Sequence, residues 1–113
     1  MPSFKDLETG AMSTPQMTVP SSKEVQKRLE KTELPPQVVS WLQAELAPYA
    51  GQPLRGEGVV TRLSFIINGH SDGRVSVLVW EQMPTLIEAL IDDPAVREAA
   101  TAHLADINRR LNS

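Results

Sequence analysis

Two apolar runs flank a turn-rich stretch near the middle of the chain, and any fold must accommodate them. Residues 58–67 read GVVTRLSFII and residues 74–81 read RVSVLVWE. Leu63, Phe65 and Ile67 alternate with Arg62, Ser64 and Ile66, while Val75, Val77 and Val79 alternate with Ser76, Leu78 and Trp80. Alternation of this kind, rich in β-branched and aromatic residues, is the period of a strand. The spacing predicts an antiparallel β-hairpin. Its register sets Ile67 opposite Val75, Phe65 opposite Val77 and Leu63 opposite Val79, one apolar layer, with Arg62 across from Trp80.

The connecting residues, Asn68-Gly69-His70-Ser71-Asp72-Gly73, invite a chemical interpretation. Gly69 and Gly73 suit positive φ, and Asn68 and Asp72 tolerate turns, so a hairpin loop explains all four. Catalysis asks for more. A Ser-His-Asp triad needs its base within hydrogen-bond reach of the nucleophile and its acid behind the base. His70, Ser71 and Asp72 are consecutive, which works against that convergence. A zinc site wants three or four ligands, and the only other histidine, His103, belongs to a separate helical stretch. There is no cysteine, which removes thiolate ligands, disulfides and a cysteine nucleophile. Gly51, Gly56 and Gly58 are not followed by the Gly-Lys-Ser/Thr of a phosphate loop. No cofactor or metal is indicated.

A lone hairpin is marginal in water and leaves strand edges open, so the flanking segments must cover it. Residues 1–20 carry three prolines and no sustained period, and are expected to form a flexible leader. Within it Phe4 and Leu7 stand at i,i+3, a spacing suited to docking as a short helical motif. Ser21-Ser22-Lys23-Glu24 fits a capping box. The helix it opens, about 22–33, offers only Val25 and Leu29 to a core, with Glu24 and Arg28 paired at i,i+4. Residues 21–34 therefore read as a short charged helix that is marginal alone. Pro36 opens a helix over about 36–47 with Val38, Val39, Trp41, Leu42 and Leu46 on one face. Helices follow at about 85–91 and 94–111, the latter capped by Asp93 before Pro94 and carrying Val96, Ala100, His103/Leu104, Ile107 and Leu111 at helical spacing. His103 sits at the inner edge of that stripe, where a half-buried structural histidine is the simpler role.

Composition narrows the classes of function. With 113 residues the chain is expected to form one domain. A net charge of −3 lacks the basic excess of phosphate-binding proteins, and Arg109 and Arg110 complement a helix C-terminus. No nucleic-acid partner is expected. No apolar run reaches the length of a membrane span, and no secretion signal is evident. A cytoplasmic location is the simplest expectation.

These observations predict a small α+β domain: an antiparallel hairpin packed by about three to four helices, with residues 35–113 as an α-β-β-α-α unit. Both hairpin faces are partly apolar, since Ile66, Leu78 and Trp80 lie opposite the Leu63 layer. Apolar residues on a second face, and an unfinished sheet, point to a protein interface. Arg62, Ile66, Leu78 and Trp80 are the candidate partner-binding residues, with Phe4 and Leu7 from the leader. The expected function is a non-enzymatic interaction module, a regulator, adaptor or accessory subunit, binding another protein or itself; a homodimer that pairs hairpins is the simplest version. A structural subunit of a large assembly, such as a phage particle or another multiprotein machine, and a small ligand-binding domain or enzyme using His70 or His103, are the alternatives.

Overall fold

The computed structural model describes residues 16–112. In chain order they form β1 (Gln16–Thr18), α1 (Ser22–Leu29), α2 (Pro36–Leu46), a 3-10 turn (Ala47–Tyr49), β2 (Pro53–Arg55), α3 (Gly56–Asn68), α4 (Gly73–Glu81), α5 (Met83–Leu90) and α6 (Pro94–Leu111). This is a small α+β domain, with more helix than the sequence predicts.

The main correction concerns the two apolar runs. They are not strands; they are α3 and α4. The buried residues of α3 are Gly56, Val59, Val60, Leu63 and Ile67, spaced at three and four residues, which is the period of a helix face. The strand template placed Phe65 inside, between Leu63 and Ile67. On a helix Phe65 lies about 200° around from Leu63, and it is 69% exposed. Val77 follows the same rule: Val79 is fully buried and Val77 points outward. The β-branched content of both runs was a local preference that packing overrode.

The intervening loop changes its role accordingly. It joins two helices and makes no hairpin turn. Asp72 caps α4 by accepting from the Arg74 amide at 2.9 Å, and His70 Nδ1 accepts from the Asp72 amide at 2.9 Å. Gly69 ends α3 at φ −82°, and Gly73 is simply the first residue of α4. Positive φ occurs at neither; among the described residues it occurs at Gly51 alone. The hydroxyl of Ser76 donates to the Ile67 carbonyl at 2.8 Å, so α4 adds a bond to a carbonyl at the end of α3 that also accepts from the His70 amide at 3.2 Å.

The strands lie elsewhere. β1 pairs antiparallel with β2, in the register Gln16–Arg55, Met17–Leu54 and Thr18–Pro53. The Val19 amide donates to the Gln52 carbonyl and the Gly51 amide to the Val19 carbonyl, at 2.9 and 2.8 Å. Gln16 to Pro20, assigned by sequence to the leader, thus run along the fold, and Val19 is buried. The charged helix is likewise built in. Ser21 caps α1, accepting from the Glu24 amide at 3.2 Å, and Val25 and Leu29 are fully buried. Two apolar side chains suffice because polar contacts, described below, add to them.

One aliphatic core joins α1, α2, α3, α5 and α6, with Val79 as the buried contribution of α4. Among the described residues no polar or charged residue is buried. The broadest contact between elements is α3 on α6. It begins at Gly56, where an added Cβ would press onto the Val96 carbonyl and stand 2.7 Å from the Ala100 amide nitrogen. Further along, Thr61 meets His103, Oγ1 to Nε2 3.4 Å. Gly56 beside Val96 to Ala100, then Thr61 beside His103, means the two helices run side by side in the same direction.

Candidate interaction surface

The six candidate residues fall in three places. Phe4 and Leu7 lie outside the described residues. Arg62 and Ile66 are on α3, and Leu78 and Trp80 on α4; all four are intermediate in exposure. With the hairpin gone, they no longer share the outer face of a sheet. Ile66 and Trp80 lean on the core. Arg62 is engaged inside the fold: its guanidinium carbon sits 4.5 Å above the centre of the Tyr49 ring, and Nη1 donates to the Tyr49 hydroxyl at 3.5 Å. Such a cation–π contact holds both groups in place. The Arg62 Nε is buried with no hydrogen-bond partner in the chain, an arrangement that costs stability. It borders a small apolar void under the sheet, between Met17, Leu54 and Leu63, with room for about one water molecule.

The histidines stand apart. His70 meets the ring of Trp41 edge-on, centroids 4.5 Å apart. His103 faces Thr61 across the α3–α6 seam. Among the described residues, no three histidine, aspartate or glutamate side chains stand close enough together to hold a metal ion.

Charge is concentrated at the other end of the helical layer, where α5 finishes. Arg28 of α1 donates from Nε to Glu24 at 3.0 Å and from Nη2 to Asp92 at 2.8 Å. Its Nη1 also reaches the Leu90 carbonyl at 3.3 Å and the Ala89 carbonyl at 3.5 Å. Donating hydrogen bonds to Glu24 and Asp92 raises the Arg28 pKa above its ordinary value. Arg97 of α6 comes from the opposite side, donating from Nη2 to the Ile91 carbonyl at 2.7 Å and to the Glu88 carbonyl at 3.2 Å. Two arginines thus cap the carbonyl end of α5, where positive charge complements the helix dipole. An open polar groove beside Arg28, between α1 and α5, is lined by Lys31, Thr85 and Glu88 among others. Within it Glu24 and Asp92 both pair with Arg28.

What the sequence missed is the set of apolar side chains left in water. Phe65, Val77 and Leu111 are 69%, 59% and 67% exposed. Phe65 lies one turn beyond Thr61 on α3, and Ile107 one turn beyond His103 on α6. Since Thr61 and His103 touch, the helical repeat brings Phe65 to the level of Ile107, with Leu111 one turn further. Ile107 is partly buried against the core. Phe65 and Leu111 are thus exposed apolar side chains in the last turns of α3 and α6. Applying the helical period to residues 58–67 is the signal that finds Phe65 outside.

Comparison with known proteins adds no relative: no family model, no curated protein and no solved structure matches this chain. Among the described residues no helix is long and apolar enough to cross a membrane.

Proposed function

We propose that this protein is a non-enzymatic interaction module whose contact surface includes the exposed apolar side chains at the ends of α3 and α6. The observation that carries the proposal is Phe65. A phenylalanine in the last turn of α3, 69% exposed, contributes little to the fold and offers a large apolar anchor to a partner. Leu111 is exposed in the same way at the end of α6, and the half-buried Ile66 lies next to Phe65 on the same helix. This moves the centre of the surface from the residues chosen by sequence, Arg62 and Trp80, to their neighbours. The partner is another protein or a second copy of this chain.

The test compares full-length wild type with Phe65→Ser as baits in native extract, with captured proteins quantified by mass spectrometry. Far-UV circular dichroism checks that the variant keeps its helices. A named protein held by wild type and lost by Phe65→Ser is the expected result. Analytical ultracentrifugation of the same pair reads self-association. If both baits capture the same proteins and sediment alike, the surface lies elsewhere.

A further inference from the structure

We propose that the open edge of β1 is a second contact surface, which pairs with an extended segment of a partner protein carrying lysine or arginine. The proposal does not rest on Phe65, which lies at the far end of α3 from the sheet. Three observations carry it.

The first is the direction of the backbone groups. Successive residues of an antiparallel strand turn their N–H and C=O alternately toward one side and the other. The Val19 amide donates to the Gln52 carbonyl, and the Val19 carbonyl accepts from the Gly51 amide. Val19, and Met17 two residues before it, therefore face β2. Gln16 and Thr18 turn their N–H and C=O away from it. Pro53, opposite Thr18, agrees with this alternation, because proline has no N–H to give to β1. Among the described residues the sheet has these two strands and no third. The outer edge of β2 lacks a donor at Pro53, and the strand runs directly into α3. The edge of β1 offers a donor and an acceptor at both Gln16 and Thr18, the two-residue spacing that an added strand uses.

The second is a bounded groove. Gln16 and Thr18 share a groove of about 310 Å³ with Arg28, Leu90, Asp92 and Asp93. The edge is thus flanked by side chains from α1 and from the junction of α5 with α6. At the small end of ligand pockets, roughly 300–1,000 Å³, the groove holds a short extended segment and not a folded domain.

The third is charge. Asp92 and Asp93 are both exposed. Arg28 is shared by Glu24 and Asp92. Asp93 uses one oxygen to accept from the Ala95 amide at 2.8 Å and has no cation partner among the described residues. Two carboxylates to one guanidinium suit an incoming cation. A second copy's β1 reads Gln-Met-Thr and brings no cation of its own, so a basic segment of another protein fits better than a β1–β1 pairing.

The test titrates the full ¹⁵N-labelled chain with three peptides. One is acetyl-Thr-Lys-Val-Lys-Thr-amide, the second has Glu for Lys, and the third is the Lys peptide N-methylated at its three central residues. The Lys peptide is expected to move the Gln16 and Thr18 amides downfield and to slow their exchange with solvent. The other two peptides are expected to do neither. Thr18→Pro removes the outward donor and leaves the bonds to β2 in place, so it is expected to abolish the Gln16 shift with an unchanged far-UV circular dichroism spectrum. Should that variant unfold, the N-methylated peptide decides the same point on the unaltered protein. Asp93→Asn keeps the cap of α6 and is expected to weaken the Lys peptide by up to about fivefold, the contribution of an exposed ion pair. Phe65→Ser is expected to bind it as the wild type does, which separates this surface from the one at the end of α3. Equal binding of the Lys and Glu peptides, binding of the N-methylated peptide, or no shift at Gln16 and Thr18 overturns the proposal. So do shifts of these two amides with protein concentration alone, which place a second copy on the edge.

Discussion

The two ends of the helical layer are finished in opposite ways. Where α5 ends, Arg28 and Arg97 converge from α1 and α6 on its open carbonyls, and Glu24 and Asp92 share Arg28. Ile91, just past that helix, is fully buried. Where α3 and α6 end, one hydroxyl bond from Ser76 ties α4 to α3, and Phe65 and Leu111 face water. At the first end the exposed groups are used by the fold itself. At the second, large apolar groups remain that the fold does not use. Polar groups that hold helix ends stabilise the domain; apolar groups left over are what a partner can bury.

Substitutions at four positions bear on that contrast. The largest effect is expected from Leu29→Ala, under the clamped end, which removes a fully buried side chain. A loss of about 2–5 kcal/mol is expected in chemical denaturation. Arg28→Ala comes next. It leaves the Leu90 carbonyl and Asp92 without their donor, and about 1–3 kcal/mol is expected from the same titration. Arg28→Lys should recover only part of this, since an ammonium cannot make the forked contacts to Asp92, Glu24 and the carbonyls together. Ser76→Ala removes the hydroxyl bond from α4 to the Ile67 carbonyl, with an expected loss of about 1 kcal/mol. Hydrogen exchange should then show the ends of α3 and α4 opening earlier than α1. The smallest stability effect belongs to Leu111→Ser, within about 0.5 kcal/mol. The same substitution is expected to weaken partner capture, so stability and binding separate at this end and not at the other. If Arg28→Ala proves neutral while Ser76→Ala unfolds the domain, the contrast is reversed.

The outer parts of the fold were legible from sequence because their signals are local. Ser21 and Asp93 cap the helices they were expected to cap. Pro36 starts α2, and α6 runs over 94–111 as its apolar spacing requires. The Glu24–Arg28 pair forms. The sheet was not legible. Each strand is three residues long, and Met17 and Leu54 meet across two intervening helices, so neither strand carries a pattern of its own. The central runs carry an ambiguous pattern, because they are apolar on both strand faces. Leu78 and Trp80 had to be explained as an exposed second layer, a difficulty that the helical period removes. Turn residues around His70 fit a helix connection as well as a hairpin, since Asp72 serves as an N-cap in the one and a turn residue in the other. The same ambiguity hid the surface. A strand places Phe65 with Leu63 inside, and the helix turns it out.

The most direct test of this account is therefore a pair of denaturant titrations, on Phe65→Ser and Leu63→Ser. In a helix Leu63 is core and Phe65 is surface. Leu63→Ser is expected to cost more than about 3 kcal/mol and Phe65→Ser less than about 1 kcal/mol. Equal and large losses would put both side chains in the core, as a strand would, and would contradict both the helical assignment of residues 56–68 and the surface built on it.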